Sequence, residues 1–140
     1  MNTIYLTEDD YQQLVKLIQG QPKNEDLMPA YIRLKAELKR AKRVPSVTIP
    51  PEVVTMNSRV RVQELKSNSE MILSVVFPHE ANFNAGKISV LSPIGTAILG
   101  SRAGDEVVWT APYCKFIYKI KEVLYQPEAD GVLADEGVLV

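Results

Sequence analysis

A cluster of prolines divides the sequence into a part with helical periodicity and a part with strand periodicity. Pro45, Pro50 and Pro51 lie close together, and such a segment favours an extended path over a helix. Before the cluster, apolar residues recur every three or four positions, whereas after it they form short alternating or continuous runs. We therefore predict a helical region with its linker over residues 1–49 and a second domain over residues 50–140.

The first predicted helix begins after Thr7, which is a suitable N-cap residue, with Asp10 three positions later as in a capping box. Gly20 and Pro22 end the helix and make a turn. Its apolar stripe recurs at helical spacing and consists of Tyr11, Leu14, Val15 and Ile18.

The second predicted helix begins near Asp26, which can cap it, has Pro29 in its first turn and ends before Pro45. Its apolar residues alternate spacings of four and three, which is typical of a heptad seam: Leu27, Tyr31, Leu34, Leu38 and Ala41. Because a short turn joins the two helices, we predict an antiparallel helical hairpin packed as a short coiled coil.

The second domain is predicted to be α+β, with a mostly antiparallel sheet and one short helix. Val60 and Val62 alternate with polar residues, and the nearly continuous apolar run over 71–77 predicts a central strand covered on both faces. A short helix is expected from Pro93, and a bulge near Glu122. The remaining predicted strands cover residues 87–91, 106–110 and 116–125.

The composition excludes several classes of protein. Sixteen Lys and Arg balance seventeen Asp and Glu for a net charge of -1, which argues against general nucleic-acid binding through phosphates. A single Cys and a single His rule out an internal disulfide and a Cys-rich zinc site. The sequence shows neither a signal peptide nor an apolar run of membrane-spanning length, so we expect a cytoplasmic protein that does not enter a membrane.

Residues 86–100 read GKISVLSPIGTAILG and are followed by GDEV at 104–107. This block resembles the C-terminal domain of the Gre transcript-cleavage factors, which bind bacterial RNA polymerase at its secondary channel. Residues 53–58 and 124–129 are similar to the related Rnk proteins, named as regulators of nucleoside diphosphate kinase, and the short hairpin resembles Rnk as well. Locally, Ser92 can cap the helix, Gly100 can end it in left-handed geometry, and Gly104 with Asp105 can make a tight return.

The resemblance implies an FKBP-like C-terminal domain that docks at the rim of the polymerase secondary channel, with the hairpin pointing into the channel. It places docking at the corner formed by Leu91, Ser92, Pro93 and Gly95, although cleavage factors commonly have a polar residue where this chain has Leu91. We expect a monomeric, non-catalytic transcription regulator that competes with longer Gre-type factors. It would need no cofactor or metal and make no sequence-specific contact with nucleic acid.

Two acidic residues near the hairpin tip, Glu25 and Asp26, have two interpretations. In cleavage factors, acidic tip residues deliver a metal ion inside the polymerase, so these two could make the chain a transcript-cleavage factor. Alternatively, they cap the second helix and suit its N-terminal dipole. The short first helix favours the second interpretation, because its carboxylates would stop short of the polymerase active centre.

A basic run on the second helix also has two interpretations. It contains six cations against the single acid Glu37, namely Arg33, Lys35, Lys39, Arg40, Lys42 and Arg43. Such a run can attract an acidic polymerase surface, or it can be the solvated face of an amphipathic helix.

The remaining candidate residues give little support for a catalytic or metal site. His79 has no second ligand at metal-binding spacing, and Cys114 is expected at a strand edge or in the core. An FKBP-like prolyl isomerase is a further alternative if the aromatic residues line a pocket, whereas ordinary sheet packing is the simpler interpretation. These aromatic residues are Trp109, Tyr113, Phe116 and Tyr118.

Overall fold

The computed structural model describes residues 3–20, 25–111 and 114–130. Two helices, α1 (Glu8–Gln19) and α2 (Met28–Arg40), are flanked by two short strands, β1 (Tyr5–Thr7) before α1 and β2 (Lys42–Val44) after α2. A single 3₁₀ turn, Glu25–Leu27, leads into α2.

A five-stranded sheet follows, with one short helix inserted before its last two strands. The strand order is β5-β4-β3-β7-β6, in which β5 is parallel to β4 and every other neighbouring pair is antiparallel. This arrangement confirms the predicted mixture of helix and mainly antiparallel sheet. The elements are β3 (Arg59–Glu64), β4 (Glu70–Val76), β5 (Lys87–Ser89), α3 (Pro93–Ile98), β6 (Glu106–Ala111) and β7 (Cys114–Tyr125).

The two N-terminal helices begin in different ways. Thr7 caps α1 as predicted, since its Oγ1 accepts a hydrogen bond from the Asp10 N–H at 3.0 Å. The predicted cap at Asp26 is wrong, because the N-cap position of α2 is Leu27 and makes no side-chain capping bond. Helix α2 also ends at Arg40, well before Pro45, because the chain turns into β2.

The β1–β2 pair is a feature that the sequence analysis missed. The two strands are parallel, with Tyr5 opposite Lys42, and the Tyr5 N–H donates to the Gly100 carbonyl at 3.0 Å. Gly100 adopts a φ of 79°, as predicted, and a Cβ there would lie 2.9 Å from the Ile4 Cβ. A side chain at position 100 would therefore strain the backbone and collide with the N-terminal segment.

Both parts of the chain contribute to one hydrophobic core. Leu14 and Leu34 from the helices and Val60 and Ile120 from the strands are fully buried. Ile49, in the segment predicted as a linker, is also buried. The domain boundary near residue 50 stays a prediction, and the helices rest directly on the second part of the chain. Among the described residues, none of the helices has the length and apolar character needed to cross a membrane.

Strand β4 differs from its prediction as a central strand covered on both faces. It lies second from the sheet edge, and Met71 and Ile72 are 39% and 51% exposed. The prediction was wrong because an apolar run does not reveal how far the neighbouring layer extends over it. The bulge predicted near Glu122 is confirmed, because the register between β3 and β7 shifts on both sides of that residue.

Candidate functional site

The Ser-Pro corner, residues 89–96, connects β5 to α3 through a chain of short-range hydrogen bonds. The Ser92 hydroxyl donates to the Ser89 carbonyl at 2.7 Å and accepts from the Gly95 N–H at 3.1 Å. Pro93 follows as the first residue of α3, where its missing N–H is harmless. The predicted cap at Ser92 is thus confirmed, and it fixes the direction in which the chain leaves the sheet.

Close packing further restricts the corner at Gly95. A Cβ at this position would lie 2.2 Å from the Ser89 carbonyl oxygen, so only glycine fits without moving the backbone. The neighbouring Thr96 is buried, and its hydroxyl donates to the Val90 carbonyl at 2.6 Å. These contacts give the corner one defined shape.

The corner exposes only some of the residues predicted to dock. Leu91 is 8% exposed and packs in the hydrophobic core, and Gly95 is buried as well. Ser92 and Pro93 are partly exposed, together with Ile94. A partner could therefore reach Ser92 and Pro93, while Leu91 and Gly95 support the shape of the surface from below.

Arg33 joins α2 to this corner. Its Nη2 donates to the Leu91 carbonyl at 3.0 Å, in a partly buried contact. The Nε of Arg33 is buried and makes no hydrogen bond within the described residues. Arg33 was predicted as part of the basic face of α2, but its contact is an internal one that sets α2 against the corner.

A second polar contact, at Asp10, joins α1 to the sheet domain. Asp10 is 2% exposed, and its Oδ2 accepts a hydrogen bond from the Met56 N–H at 3.0 Å. Burial, together with the negative charge of Glu128, raises the pKa of Asp10 to about 7. Sequence reasoning missed this role because an acid in the first turn of a helix is usually a solvated one.

The structure brings the two Rnk-like stretches, residues 53–58 and 124–129, together. The Thr55 hydroxyl donates to Glu128 Oε1 at 2.7 Å and also contacts the Ser58 hydroxyl at 2.8 Å. The side-chain amide of Gln126 donates to the carbonyls of Pro50 and Val53, both at 2.8 Å. These bonds hold the segment after β7 beside the first turn of α1.

The tip of the helical region, residues 25–28, is open to solvent. Glu25 and Asp26 are both exposed, as are Leu27 at 39% and Met28 at 43%. Ile32, one turn further along α2, is 61% exposed. The tip thus combines two carboxylates with an apolar surface.

The basic run on α2 and β2 is partly compensated by acids. Arg40 forms an ion pair with Glu37 at 2.7 Å. Arg43 pairs with Glu8 of α1 and lies over the Tyr11 ring at 4.0 Å from its centroid. Glu37 is the one acid within the run, as counted from the sequence, and the count did not include Glu8 because that residue comes from α1. This ion pair lowers the pKa of Glu8 and raises that of Arg43.

The three lysines of the run, Lys35, Lys39 and Lys42, are all exposed. Lys35 and Lys39 line a groove of about 400 Å³ between α1 and α2, whereas Lys42 lies on β2. The basic run is therefore divided between an internal contact, ion pairs and these exposed lysines.

The other candidates form no site. His79 is exposed, and Cys114 is exposed at the first position of β7. Trp109 stacks on Phe116 with ring centroids 5.0 Å apart and on Tyr118 at 6.3 Å, which supports the packing interpretation; Tyr113 lies outside the described residues. No group of three or more His, Cys, Asp or Glu in the described parts of the chain could hold a metal ion.

Two family models match the chain and together cover most of it. The model for the C-terminal domain of the transcription elongation factors GreA/GreB matches residues 49–125. The model for the Rnk N-terminus matches residues 2–44. Both the Ser-Pro corner and the helices therefore lie within matched regions.

Individual relatives agree with the family models. The "Regulator of nucleoside diphosphate kinase" of Escherichia coli is 35% identical over 130 residues, covering 92% of this chain and 94% of the relative. GreA of Maridesulfovibrio salexigens is 35% identical over 82 residues, which are 59% of this chain and 51% of GreA. This chain thus spans about half the length of that GreA.

A solved structure supports the same relationship. The "Prokaryotic transcription elongation factor GreA/GreB from Nitrosomonas europaea" superimposes with a TM-score of 0.72 at 36% identity. The match covers 89% of this chain and all of the other.

Proposed function

Because this chain belongs to the GreA/GreB transcription elongation factor family and carries an Rnk N-terminus, we propose that it binds bacterial RNA polymerase at the rim of the secondary channel. It acts there as a monomeric, non-catalytic regulator of transcription. By occupying the rim, it competes with longer Gre-type factors for the same position.

The observation that carries this proposal is the rigid Ser-Pro corner. Specific docking favours a surface whose shape is set before the partner arrives, since less conformational entropy is lost on binding. The corner meets this requirement through the Ser92 cap and the tight packing at Gly95. We propose that Ser92 and Pro93 contact polymerase and that α3 and the sheet form an FKBP-like domain that supports them.

The helices contribute position and limited reach. Helix α1 has 12 residues and is therefore about 18 Å long at 1.5 Å per residue. The Arg33 and Asp10 contacts tie the helices to the sheet domain, so docking of the corner also fixes the direction of the tip. We propose that α1 and α2 form a short hairpin that blocks the channel entrance without completing the polymerase active centre.

A binding experiment with two matched charge insertions tests the docking surface. Pro93→Glu places a carboxylate at the start of α3, where a helix tolerates negative charge, and it alters the proposed contact surface. Val47→Glu inserts the same charge at a residue that is 91% exposed and distant in sequence from the corner. We expect Pro93→Glu to weaken binding to purified core polymerase about tenfold or more, as at an interface hot spot. The Val47→Glu variant should bind like the parent chain.

Two results would contradict the proposal. The parent chain could fail to bind core polymerase, which would remove the partner. Alternatively, both variants could bind equally well, which would move the docking surface away from the corner. Circular dichroism and thermal unfolding of both variants would show that each is folded.

Transcript cleavage is the second candidate function, and the exposure of Glu25 and Asp26 at the tip favours it. In this mechanism the two carboxylates would help to hold a catalytic metal ion supplied at the polymerase active centre. A backtracked elongation complex tests the point. Efficient cleavage that is lost in Glu25→Ala/Asp26→Ala would establish this function and contradict the non-catalytic proposal.

A further inference from the structure

The five-stranded sheet has one face that is turned away from the hydrophobic core. Val60 and Val62 of β3 are fully buried in that core, and successive residues of a strand point to opposite faces of a sheet. Arg59 and Arg61 therefore point to the other face, here called the outer face, where Arg59 is exposed and Arg61 is half-buried. Charged side chains on this face are accessible to a ligand.

The strand register gathers a row of polar side chains on the outer face. Ser74 of β4 and Tyr125 of β7 lie directly opposite Arg59, one on each side of it. Lys87 of β5 lies in turn opposite Ser74. Because residues directly opposite each other share a face of the sheet, four neighbouring strands contribute two cations and two hydroxyl groups to one row. We call it the Arg59 row, and it consists of Lys87, Ser74, Arg59 and Tyr125.

The cations of the Arg59 row differ from the neighbouring Arg61 in how their charge is balanced. Arg61 pairs with Glu122 at 2.8 Å and with Glu70 at 3.7 Å. In the parts of the chain that the structure describes, Arg59 and Lys87 form no ion pair. The row thus carries positive charge without a compensating carboxylate, so it attracts an anion.

A depression of about 320 Å³ lies at this row, and its lining residues are Asn57, Arg59, Ser74 and Tyr125. Ser74 and Tyr125 are half-buried, which restricts the movement of their side chains. Asn57 is held in place because its N–H donates to the Val75 carbonyl at 2.7 Å. A site that is formed in this way before its ligand arrives loses less conformational entropy on binding.

We propose that the Arg59 row binds the phosphate group of a small phosphorylated molecule. Arg59 supplies a planar guanidinium, which can donate two parallel hydrogen bonds to a phosphate. The hydroxyl groups of Ser74 and Tyr125 donate to the remaining oxygens, and Lys87 adds a second positive charge. A phosphate group fits this set of donors better than a carboxylate does, because it offers three acceptor oxygens and up to two negative charges. This inference is independent of polymerase binding.

An NMR titration of the full chain, without polymerase, tests the proposal. Inorganic phosphate, phenyl phosphate and acetate are added in separate titrations at constant ionic strength, and the backbone amide shifts are followed. We expect saturable shifts concentrated at Asn57, Arg59 and Ser74 with both phosphate probes. Phenyl phosphate should bind at least as tightly as inorganic phosphate, because the proposed ligand is a phosphate ester, and acetate should bind about tenfold more weakly or less.

Three results would overturn the proposal. Absence of localised shifts with both phosphate probes would remove the site. Binding of inorganic phosphate without binding of phenyl phosphate would exclude a phosphate ester as the ligand. Acetate that binds as tightly as phenyl phosphate would show that the row does not select phosphate.

Two matched substitutions test the role of Arg59 in the same titration. Arg59→Gln removes the guanidinium and should weaken binding of phenyl phosphate about tenfold or more, as expected for charge-assisted hydrogen bonds. Lys115→Gln removes one positive charge from an exposed residue at the other end of β7, about 30 Å from Tyr125, and should bind like the parent chain. The amide spectrum of each variant shows directly that it is folded. Equal affinity of Arg59→Gln and the parent chain would overturn the proposal.

Discussion

The base and the tip of the helical region are held in contrasting ways. The base is the side of the helices that rests on the sheet domain; there Asp10 of α1 accepts from the Met56 N–H, and Arg33 of α2 donates to the Leu91 carbonyl of the Ser-Pro corner. At the tip, Glu25 and Asp26 are exposed, and α2 begins without a side-chain capping bond. The base therefore has a geometry dictated by buried polar contacts, whereas the tip lies in solvent.

This difference shows where specificity can reside. Buried polar groups demand their partners, because leaving one unsatisfied costs about 1–3 kcal/mol. The relative position of the helices and the corner is thus fixed by the sequence at the base. Substitutions at the tip should have little effect on the fold. Their main effect would be on how the helices contact a partner.

The largest expected effect concerns the pH dependence of the base. The pKa of Asp10 is raised from 3.8 to about 7, chiefly by burial and then by Glu128. Between about pH 4 and pH 7, Asp10 therefore keeps its proton in the folded state and loses it in the unfolded chain. As the pH rises from about 4 to about 7, Asp10 should remove roughly 4 kcal/mol from the free energy of unfolding; above this range its contribution is constant.

Asp10→Asn tests that value, since the Asn side-chain oxygen can still accept from the Met56 N–H but cannot ionise. Urea unfolding at several pH values should show the variant close to the parent at about pH 4 and roughly 4 kcal/mol more stable at about pH 8. The exposed neighbour provides a control, because Asp9→Asn should follow the parent curve. Parallel curves for the parent and Asp10→Asn would contradict the assignment.

Two glycine substitutions compare the corner with the exposed end of α1. Gly95→Ala places a methyl group 2.2 Å from the Ser89 carbonyl oxygen, so we expect a loss of about 3 kcal/mol or more in unfolding free energy, together with loss of polymerase binding. At Gly20, the C-cap of α1, an added Cβ would meet the Leu17 carbonyl oxygen at 3.6 Å as its one contact among the described residues, so Gly20→Ala should change the unfolding free energy by less than about 1 kcal/mol. Equal losses in the two variants would show that the corner is not specially constrained.

A smaller effect is expected from the α3 cap. Ser92→Ala removes the bond to the Gly95 N–H and should lower the unfolding free energy by about 1 kcal/mol. Ser69→Ala, in the exposed segment between β3 and β4, is the matched control and should have nearly no effect. If the two variants unfold at the same urea concentration, the cap does not stabilise the corner.

The smallest effect on stability is expected at the tip. Glu25→Ala/Asp26→Ala changes two exposed residues and should alter the unfolding free energy by no more than about 0.5 kcal/mol. Polymerase affinity should also stay near that of the parent, measured by the same titration. A large loss of affinity would mean that the tip is a principal contact and would remove the contrast between base and tip.

Local signals in the sequence predicted much of this structure. The caps at Thr7 and Ser92 were predictable because each bond joins residues three positions apart. The period-two pattern of Val60 and Val62 likewise identified β3. The corner itself was located through its resemblance to the Gre C-terminal domain, and the GreA/GreB family model, which matches residues 49–125, confirms that resemblance.

Features that depend on distant residues were not predictable. The β1–β2 pair joins two three-residue strands from opposite sides of the helices, and neither strand is long enough to show a pattern. The burial of Asp10 depends on the backbone of Met56. The pairing of Arg43 with Glu8 similarly requires that the two helices already be in place.

The most direct test of the central claim is a competition measurement on core RNA polymerase. The labelled full chain is bound to the enzyme, and an unlabelled Gre-type factor is then titrated into the complex. The proposal predicts that the Gre-type factor displaces the parent chain completely, because the two proteins compete for the rim. The Glu25→Ala/Asp26→Ala variant should be displaced equally, because it binds through the same Ser-Pro corner as the parent chain. A complex that holds the chain and the Gre-type factor together, or a chain that does not bind core polymerase, would contradict it.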